Sequence, residues 1–167
     1  MHRLILVRHA KSSWDSPHDH DHERPLNKRG RRSAKAIGDW LRSRNHVPDM
    51  AYVSSSVRTR ETFERLEFKC DVAHSIDLYH AGGNEMMHIL KNATGGTVLM
   101  IGHNPGIGWF AEKLVESSPR HPHFCDYPTC STLVAEFEVA SWSDVIFGSG
   151  HVIDFIVPRE LANRARK

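Results

Sequence analysis

The sequence predicts an α/β fold in which a sheet that is buried on both faces is flanked by helices. Two short apolar runs carry this prediction, Leu4–Val7 near the start of the chain and Thr97–Ile101 beyond its middle. Runs of this length that are rich in branched residues are typical of strands covered on both sides. Between and after them, segments with apolar residues at helical spacing alternate with further short strands, as expected of this class.

Composition and charge exclude several other classes of protein. The chain has 167 residues, and we expect residues 1–167 to form one domain because this length supports a single core. The formal net charge of +2 is too small to favour a nucleic-acid or membrane partner. An odd, sparse set of 3 cysteines favours reduced thiols in the cytoplasm. No signal peptide or membrane span is predicted.

The first strand is followed directly by Arg8 and His9. They therefore lie at its carboxyl end, the edge of an open α/β sheet where ligands bind. A polar, acidic loop over residues 15–23 comes next, with His18, His20 and His22 at alternate positions. Three histidines so spaced could meet one metal if the segment were extended, but a solvated loop is the favoured interpretation.

A helix is predicted from Lys28 to Arg44 with Asn27 as its N-cap. Its basic first turns are interpreted as a solvated face, since no aromatic residues are interleaved to stack on nucleic acid bases. A second strand is predicted over Met50–Val53, and a serine cluster then caps a helix over Val57–Glu67. Arg58 lies in the first turn of that helix, so it repeats the strand-end placement of Arg8.

Residues 72–77 are weakly strand-like, and a short helix is predicted to end near Asn92. After the strongest strand, Asn104 is predicted as an N-cap and Pro105 as the first residue of the next helix. His103 therefore lies between a buried strand and a helix amino end, which suits an anion. Two late strands, over residues 132–139 and 152–157, and a terminal helix from Pro158 complete the chain.

Three strand ends thus bring two arginines and two histidines toward one pocket. The planar guanidinium of arginine binds phosphate oxygens in pairs, and neutral imidazole is a nucleophile near pH 7. This set favours phosphoryl transfer through a phosphohistidine. His9 would attack phosphorus, Arg8 and Arg58 would bind its oxygens, and His103 would donate a hydrogen bond to one of them.

These residues resemble the histidine phosphatase superfamily, which has the phosphoglycerate mutase-like fold, and within it the SixA group of phosphohistidine phosphatases. The resemblance covers nearly the whole chain and rests on the following stretches: Arg8–Trp14 (RHAKSSW), Asp21–Gly30 (DHERPLNKRG), Val53–Thr62 (VSSSVRTRET), Val98–Gly106 (VLMIGHNPG), Tyr127–Thr129 and Phe155–Leu161 (FIVPREL). It implies a single three-layer αβα domain with a mostly parallel central sheet, acting without a metal or other cofactor.

The resemblance also implies the roles of the site residues. His9 corresponds to the phospho-accepting histidine, Arg8 and Arg58 to the phosphate-binding arginines, and His103 to the second pocket histidine. Independently of the resemblance, Asn104 at the amino end of the next helix is predicted as a further phosphate-binding residue. Ala10 stands where the wider superfamily commonly has glycine.

The main departure from larger relatives is that the sequence shows no evident carboxylate to act as a general acid. Asp77 is the nearest candidate, and the loop carboxylates of Asp15, Asp19, Asp21 and Glu23 remain alternatives.

Four functions are therefore compared. The leading one is a phosphohistidine phosphatase acting on phosphoproteins, because a short chain predicts a shallow, open pocket. The alternatives are a small-molecule phosphomonoesterase, a phosphoprotein-binding module with little turnover, and a metal-binding protein using His18, His20 and His22. A retained nucleophile argues against the binding module, and the metal interpretation lacks a fourth ligand at regular spacing.

Overall fold

The computed structural model describes residues 1–15 and 20–165, and within them a six-stranded sheet forms the centre of the fold. The strand order is β3-β2-β4-β1-β5-β6. Neighbours from β3 to β1 run parallel, whereas β5 pairs antiparallel with both β1 and β6. The strands are β1 (His2–Arg8), β2 (Met50–Ser54), β3 (Asp71–Ser75), β4 (Thr97–Gly102), β5 (Thr132–Phe137) and β6 (His151–Ile156).

Helices cover both faces of this sheet, which makes three αβα layers. Alternate side chains of β1 point to opposite faces: Leu4 and Leu6 belong to one buried cluster, and Ile5 and Val7 belong to the other. The first cluster contains residues of α3 and α4, and the second contains residues of α1 and α2. The helices are α1 (Lys28–Ser43), α2 (Val57–Leu66), α3 (Gly83–Lys91), α4 (Gly106–Leu114) and α5 (Pro158–Ala165). The predicted fold class is confirmed.

The register between β1 and β4 places the two pocket histidines beside each other. Arg8 is paired with Gly102 at the carboxyl ends of these parallel strands, and the His9 backbone N–H donates to the Gly102 carbonyl at 3.1 Å. His9 and His103 therefore each follow the last paired residue of a buried strand. Backbone pairing alone brings them to one edge of the sheet.

Several predicted boundaries need correction. The helix after the strongest strand begins at Gly106, not at Pro105, although the Asn104 Oδ1 atom still accepts from the Gly108 N–H at 3.1 Å. The weak strand over residues 72–77 ends at Ser75 because a 3-10 turn occupies Ile76–Leu78. The first late strand ends at Phe137, two residues earlier than predicted, and the second keeps its predicted length but begins and ends one residue earlier. None of the helices in the described ranges is long and apolar enough to cross a membrane.

Candidate active site

A pocket of about 260 Å³ lies beyond the carboxyl ends of the parallel strands. We call it the phosphate pocket because three arginines and three histidines line it. Its described lining residues are Arg8, His9, Lys11, Ser12, Trp14, Arg24, Arg58, His80, His103, Asn104 and Thr129. The structure therefore brings together all four residues predicted as catalytic, from β1, the start of α2 and the end of β4.

His9 is buried, with 7% of its surface exposed. Its Nδ1 atom lies 2.7 Å from the Ala10 carbonyl oxygen, so Nδ1 carries the proton and donates, and Nε2 keeps its lone pair. Burial, with a smaller contribution from the charges of Arg58 and Arg8, lowers the pKa of His9 to about 3 although the Ala10 carbonyl opposes this shift. His9 is thus neutral near pH 7, as a nitrogen nucleophile must be.

Thr62 connects the turn after β1 to helix α2. The Ala10 N–H donates to Thr62 Oγ1 at 3.0 Å, and that hydroxyl donates to the Arg58 carbonyl at 2.7 Å. Both Thr62 and Ala10 are fully buried. Since His9 precedes Ala10, this connection fixes the position of His9 relative to the helix that carries Arg58.

Arg8 has hydrogen-bonding capacity that the described residues do not use. Its Nη1 atom donates to the Tyr127 carbonyl at 3.1 Å, while its buried Nε atom has no partner in the described part of the chain. A buried, unpaired donor is costly, and an anion in the pocket would satisfy it. This observation fits the predicted phosphate-binding role of Arg8.

His103 lies next to His9, with the two ring centroids 5.2 Å apart. Its Nδ1 atom is 3.4 Å from Arg58 Nη2, and its Nε2 atom is 2.8 Å from Ser54 Oγ. Because arginine only donates, the proton of neutral His103 is on Nε2 and is donated to Ser54. Burial, then the neighbouring His9 and Arg58, lowers the pKa of His103 to about 3. Its donation to a phosphoryl oxygen stays a prediction.

Arg24 is a third arginine of the phosphate pocket, and it was not among the predicted site residues. Its guanidinium contacts Ser12 Oγ and donates to the Ser13 carbonyl at 3.2 Å. It also stacks on Trp14, 3.3 Å from the ring centroid. The predicted residues all lie at strand ends or at the start of a helix, whereas Arg24 lies on a loop. Its place within the family-like stretch Asp21–Gly30 was the signal that could have identified it.

Asp21 holds two of these arginines in place. Its side chain accepts from Arg58 Nη2 at 3.0 Å, from Arg24 Nη1 at 2.9 Å and from the Tyr79 hydroxyl at 2.5 Å, and its carbonyl accepts from Arg58 Nη1 at 2.6 Å. Burial acts to raise the pKa of Asp21, but the hydrogen bonds from Tyr79 and Arg58 outweigh it and keep that pKa well below its usual range. Asp21 therefore stays ionised at neutral pH and has no proton to donate.

The predicted general acid Asp77 is not part of the pocket. It is exposed on the 3-10 turn after β3, and its backbone N–H donates to Ser75 Oγ at 3.1 Å. Asp15 and Glu23 are also exposed, and Asp19 lies outside the described residues. Among the described residues that line the phosphate pocket there is no aspartate or glutamate.

Asn104 lines the pocket, but its side chain also makes hydrogen bonds to the backbone of a neighbouring loop. Its Nδ2 atom donates to the carbonyls of Asp126 and Tyr127 at 2.9 and 3.2 Å. The side chain thus joins the start of α4 to the loop that receives the Arg8 guanidinium. Its predicted phosphate contact stays a prediction.

The loop over residues 15–23, which we call the histidine loop, offers no metal site within its described residues. His18 lies outside them, His20 is exposed, and His22 Nε2 lies 2.8 Å from Ser55 Oγ. Within residues 1–15 and 20–165, no group of three or more His, Cys, Asp or Glu side chains could hold a metal ion.

A sheet whose carboxyl edge carries a neutral, buried histidine surrounded by arginines defines a phosphoryl-transfer protein of the phosphoglycerate mutase-like fold. The profile of the "Histidine phosphatase superfamily (branch 1)" matches residues 4–79. An uncharacterized protein of Mycobacterium tuberculosis is 32% identical over 164 residues, covering 92% of this chain and 100% of the relative. The chain belongs to the histidine phosphatase superfamily, which makes it a phosphatase.

Other proteins are similar to most of the chain in sequence or in fold. An uncharacterized chloroplastic protein of Arabidopsis thaliana is 31% identical over 163 residues, which are 89% of this chain and 72% of that protein. Among solved structures, a candidate phosphohistidine phosphatase SixA from Nakamurella multipartitia has a TM-score of 0.81 at 25% identity, with 94% of this chain and 96% of that chain covered. The protein histidine phosphatase SixA complexed with tungstate shares the fold, with a TM-score of 0.72 at 19% identity over 95% and 99% of the two chains.

Proposed function

We propose that this protein is a phosphohistidine phosphatase, which removes phosphoryl groups from histidine side chains of proteins through a phosphorylated His9. The observation that carries the proposal is the chemistry of the phosphate pocket. Its described residues supply a neutral nucleophile and three arginines, but no carboxylate that could protonate a leaving group. Such a site suits a substrate whose leaving group needs little protonation.

In the first step, the Nε2 lone pair of His9 forms a bond to phosphorus while the bond from phosphorus to the substrate nitrogen breaks. The electron pair of that bond stays on the substrate nitrogen, and because the other nitrogen of the same ring already carries a proton taken from solvent, the group leaves as neutral imidazole. Arg8, Arg24 and Arg58 would stabilise the charge on the phosphoryl oxygens. In the second step, water attacks the phosphorus, the bond to His9 Nε2 breaks, and inorganic phosphate leaves.

Leaving-group chemistry separates this proposal from a phosphomonoesterase of small molecules. Release of an alkoxide from an alkyl phosphate requires a general acid. A phosphohistidine ring that solvent has protonated at its other nitrogen releases neutral imidazole, whose conjugate acid has a pKa of about 6.5, without a general acid. A nitrophenolate is intermediate. Asp21 does not supply that acid because Arg58, Arg24 and Tyr79 keep it ionised.

The experiment compares kcat/KM for three substrate classes on one enzyme preparation. We expect phosphohistidine peptides to react fastest, p-nitrophenyl phosphate slowly, and phosphoserine peptides or sugar phosphates slowest. Rapid quenching should trap a phosphoenzyme that is labile in acid and stable in base. If phosphoserine or a sugar phosphate matches phosphohistidine, the protein is better described as a small-molecule phosphomonoesterase.

Two further parts of the proposal follow from the site and the composition. The enzyme would act without a metal, since arginines supply the positive charge that a metal supplies in other phosphatases. Its partner would be a phosphorylated protein of the cytoplasm, where free cysteines such as Cys70, Cys125 and Cys130 stay reduced.

A further inference from the structure

A second cavity, of about 250 Å³, adjoins the phosphate pocket. It lies between the loop after β1, the first turn of α1 and the start of α5, and it shares Lys11 and Thr129 with the phosphate pocket. We call this cavity the basic groove because three cationic side chains line it. They are Lys11, Arg29 and Arg159, set beside Thr129, Pro128 and Pro158.

The positive charge of the basic groove is not neutralised by the described residues. Lys11, Arg29 and Arg159 are exposed, and none of them takes part in an ion pair within residues 1–15 and 20–165. No described carboxylate lines the groove. The nearby carboxylates contact histidines instead: Asp126 Oδ2 is 3.2 Å from His123 Nδ1, and Glu160 contacts His121. Such a surface attracts an anion.

The backbone around the groove is already fixed. The Asn27 N–H donates to the Lys11 carbonyl at 3.0 Å, and a Cβ atom on Gly30 would lie 2.1 Å from that carbonyl oxygen. Only glycine therefore allows α1 to pack this closely on the Lys11 loop. Two prolines stiffen the opposite wall. Because the backbone is already ordered, an anion that binds here would lose little binding free energy to ordering it.

We propose that the basic groove is a second anion subsite, which binds a carboxylate or phosphate group of the same molecule whose phosphoryl group enters the phosphate pocket. Lys11 and Thr129 line both cavities, so the two sites adjoin and a ligand that extends past these residues would contact both. On a protein substrate the second group is an acidic side chain close to the phosphohistidine. That form of the proposal rests on the proposed function.

The first experiment tests the subsite without any assumption about the natural substrate. Isothermal titration calorimetry would measure the dissociation constants of orthophosphate and of tripolyphosphate, which is long enough to reach beyond one pocket. The variant is Arg29→Gln with Arg159→Gln. The matched control is Arg65→Gln, an exposed arginine of α2 that does not line the groove.

We expect the wild-type protein to bind tripolyphosphate about tenfold more tightly than orthophosphate, the scale of a few added charge-assisted contacts. We call the orthophosphate dissociation constant divided by that of tripolyphosphate the affinity ratio. The double variant should lose most of this ratio while its orthophosphate affinity changes less than about twofold. The control should keep the wild-type ratio. An unchanged ratio in the double variant, or an equal loss in the control, would overturn the second subsite.

The second experiment identifies the source of the anion. Two phosphohistidine peptides would be compared, one with glutamates beside the phosphohistidine and one with glutamines at the same places. We expect wild-type kcat/KM to favour the acidic peptide by about fivefold, and the double variant to lose that preference. Equal use of both peptides by the wild-type protein would overturn the acidic protein segment as the occupant.

The two experiments fail independently. If no phosphohistidine peptide is hydrolysed but the tripolyphosphate ratio depends on Arg29 and Arg159, the proposed function is wrong and the second subsite stands, with a multiply phosphorylated small molecule as its ligand. If the peptides are hydrolysed but the ratio does not depend on these arginines, the proposed function stands and the subsite is overturned.

Discussion

The floor and the rim of the phosphate pocket are built differently. The floor consists of His9, Arg58 and His103, which are 5–7% exposed and follow buried strands or open a helix. The rim includes Trp14, which is 74% exposed, and Lys11, both on loops. Backbone pairing and capping fix the floor, whereas the rim depends on side-chain contacts. From this difference we expect changes in the floor to alter the chemical step and changes in the rim to alter the choice of substrate.

Among substitutions in the floor of the pocket, His9→Ala should have the largest effect on activity. It removes the nucleophile, so kcat should fall by about 10⁴-fold or more. His9 lies outside the apolar run of β1, so the fold should persist. Stopped assays with p-nitrophenyl phosphate, circular dichroism and phosphoenzyme trapping would check this. Substantial turnover by the folded variant would exclude His9 as the phospho-acceptor.

Arg58→Ala should be the next most damaging change. Loss of one preorganised charge donor costs about 2–4 kcal/mol of transition-state stabilisation, so kcat/KM should fall by about 30- to 1,000-fold. The matched control is Arg60→Ala, which removes an exposed arginine two residues along the same helix. Equal kcat/KM for the two variants would mean that Arg58 does not serve the same site as His9.

The burial of the floor should also be visible in the pH dependence of stability. His9 has a pKa of about 3 in the folded protein and about 6.5 when unfolded, so between these values the unfolded state binds more protons. Its contribution to the free energy of unfolding is therefore present above pH 6.5 and is lost as the pH falls, by about 2 kcal/mol between pH 7 and pH 5.

The variant His9→Gln lacks this titration, so its free energy of unfolding should fall by about 2 kcal/mol less than that of the wild type over the same range. Urea unfolding at pH 7 and pH 5, in buffers without phosphate, measures the difference. His88→Gln, at an exposed position on α3, is the control. If the free energy of unfolding has the same pH dependence in the wild type and in His9→Gln, burial does not shift the pKa of His9.

Asp21 joins the floor to the rim, and Asp21→Asn should have a smaller effect. The amide still accepts hydrogen bonds but lacks the charge that orients Arg58 and Arg24, so kcat should fall by about 5- to 30-fold. KM for an anionic ester should not rise, because the pocket becomes more positive. Steady-state kinetics separates the two parameters, with Glu23→Gln as the exposed control.

The same variant also tests Asp21 as a general acid. If Asp21 only positions the arginines, Asp21→Asn should lower kcat/KM for p-nitrophenyl phosphate and for alkyl phosphates by the same factor. A much larger loss with alkyl phosphates, whose leaving group needs a proton, would show that Asp21 donates one and would contradict its assignment as a permanently ionised residue.

The smallest expected effect is that of chelation. Because arginines supply the positive charge of the floor, incubation with EDTA followed by gel filtration should leave kcat/KM for p-nitrophenyl phosphate unchanged. The treated protein should also not respond to added Zn²⁺ or Mg²⁺. Loss of activity on chelation with recovery on adding zinc would favour a metal site that includes the histidine loop.

Loop contacts mark the part of the site that could not be predicted from the sequence. The sequence favours Asp77 because it is close to a strand end, yet Asp77 is exposed and does not line the pocket. Asp21, one of several equivalent loop carboxylates in the sequence, is the one bound to Arg58, 37 residues later. No local pattern distinguishes it from Asp15 or Glu23, since the choice depends on which side chains the folded loop brings within hydrogen-bonding distance.

The sequence by itself determined the strands, the helices and the edge of the sheet at which Arg8, His9, Arg58 and His103 meet. It could do so because apolar periodicity and capping are local, and because parallel strands bring their carboxyl ends to one edge. Only the tertiary structure decided that Arg24 joins them, that Asp21 is held ionised, and that the buried histidines are neutral. Those properties arise from burial and from hydrogen bonds between distant segments, which act only once the chain has folded.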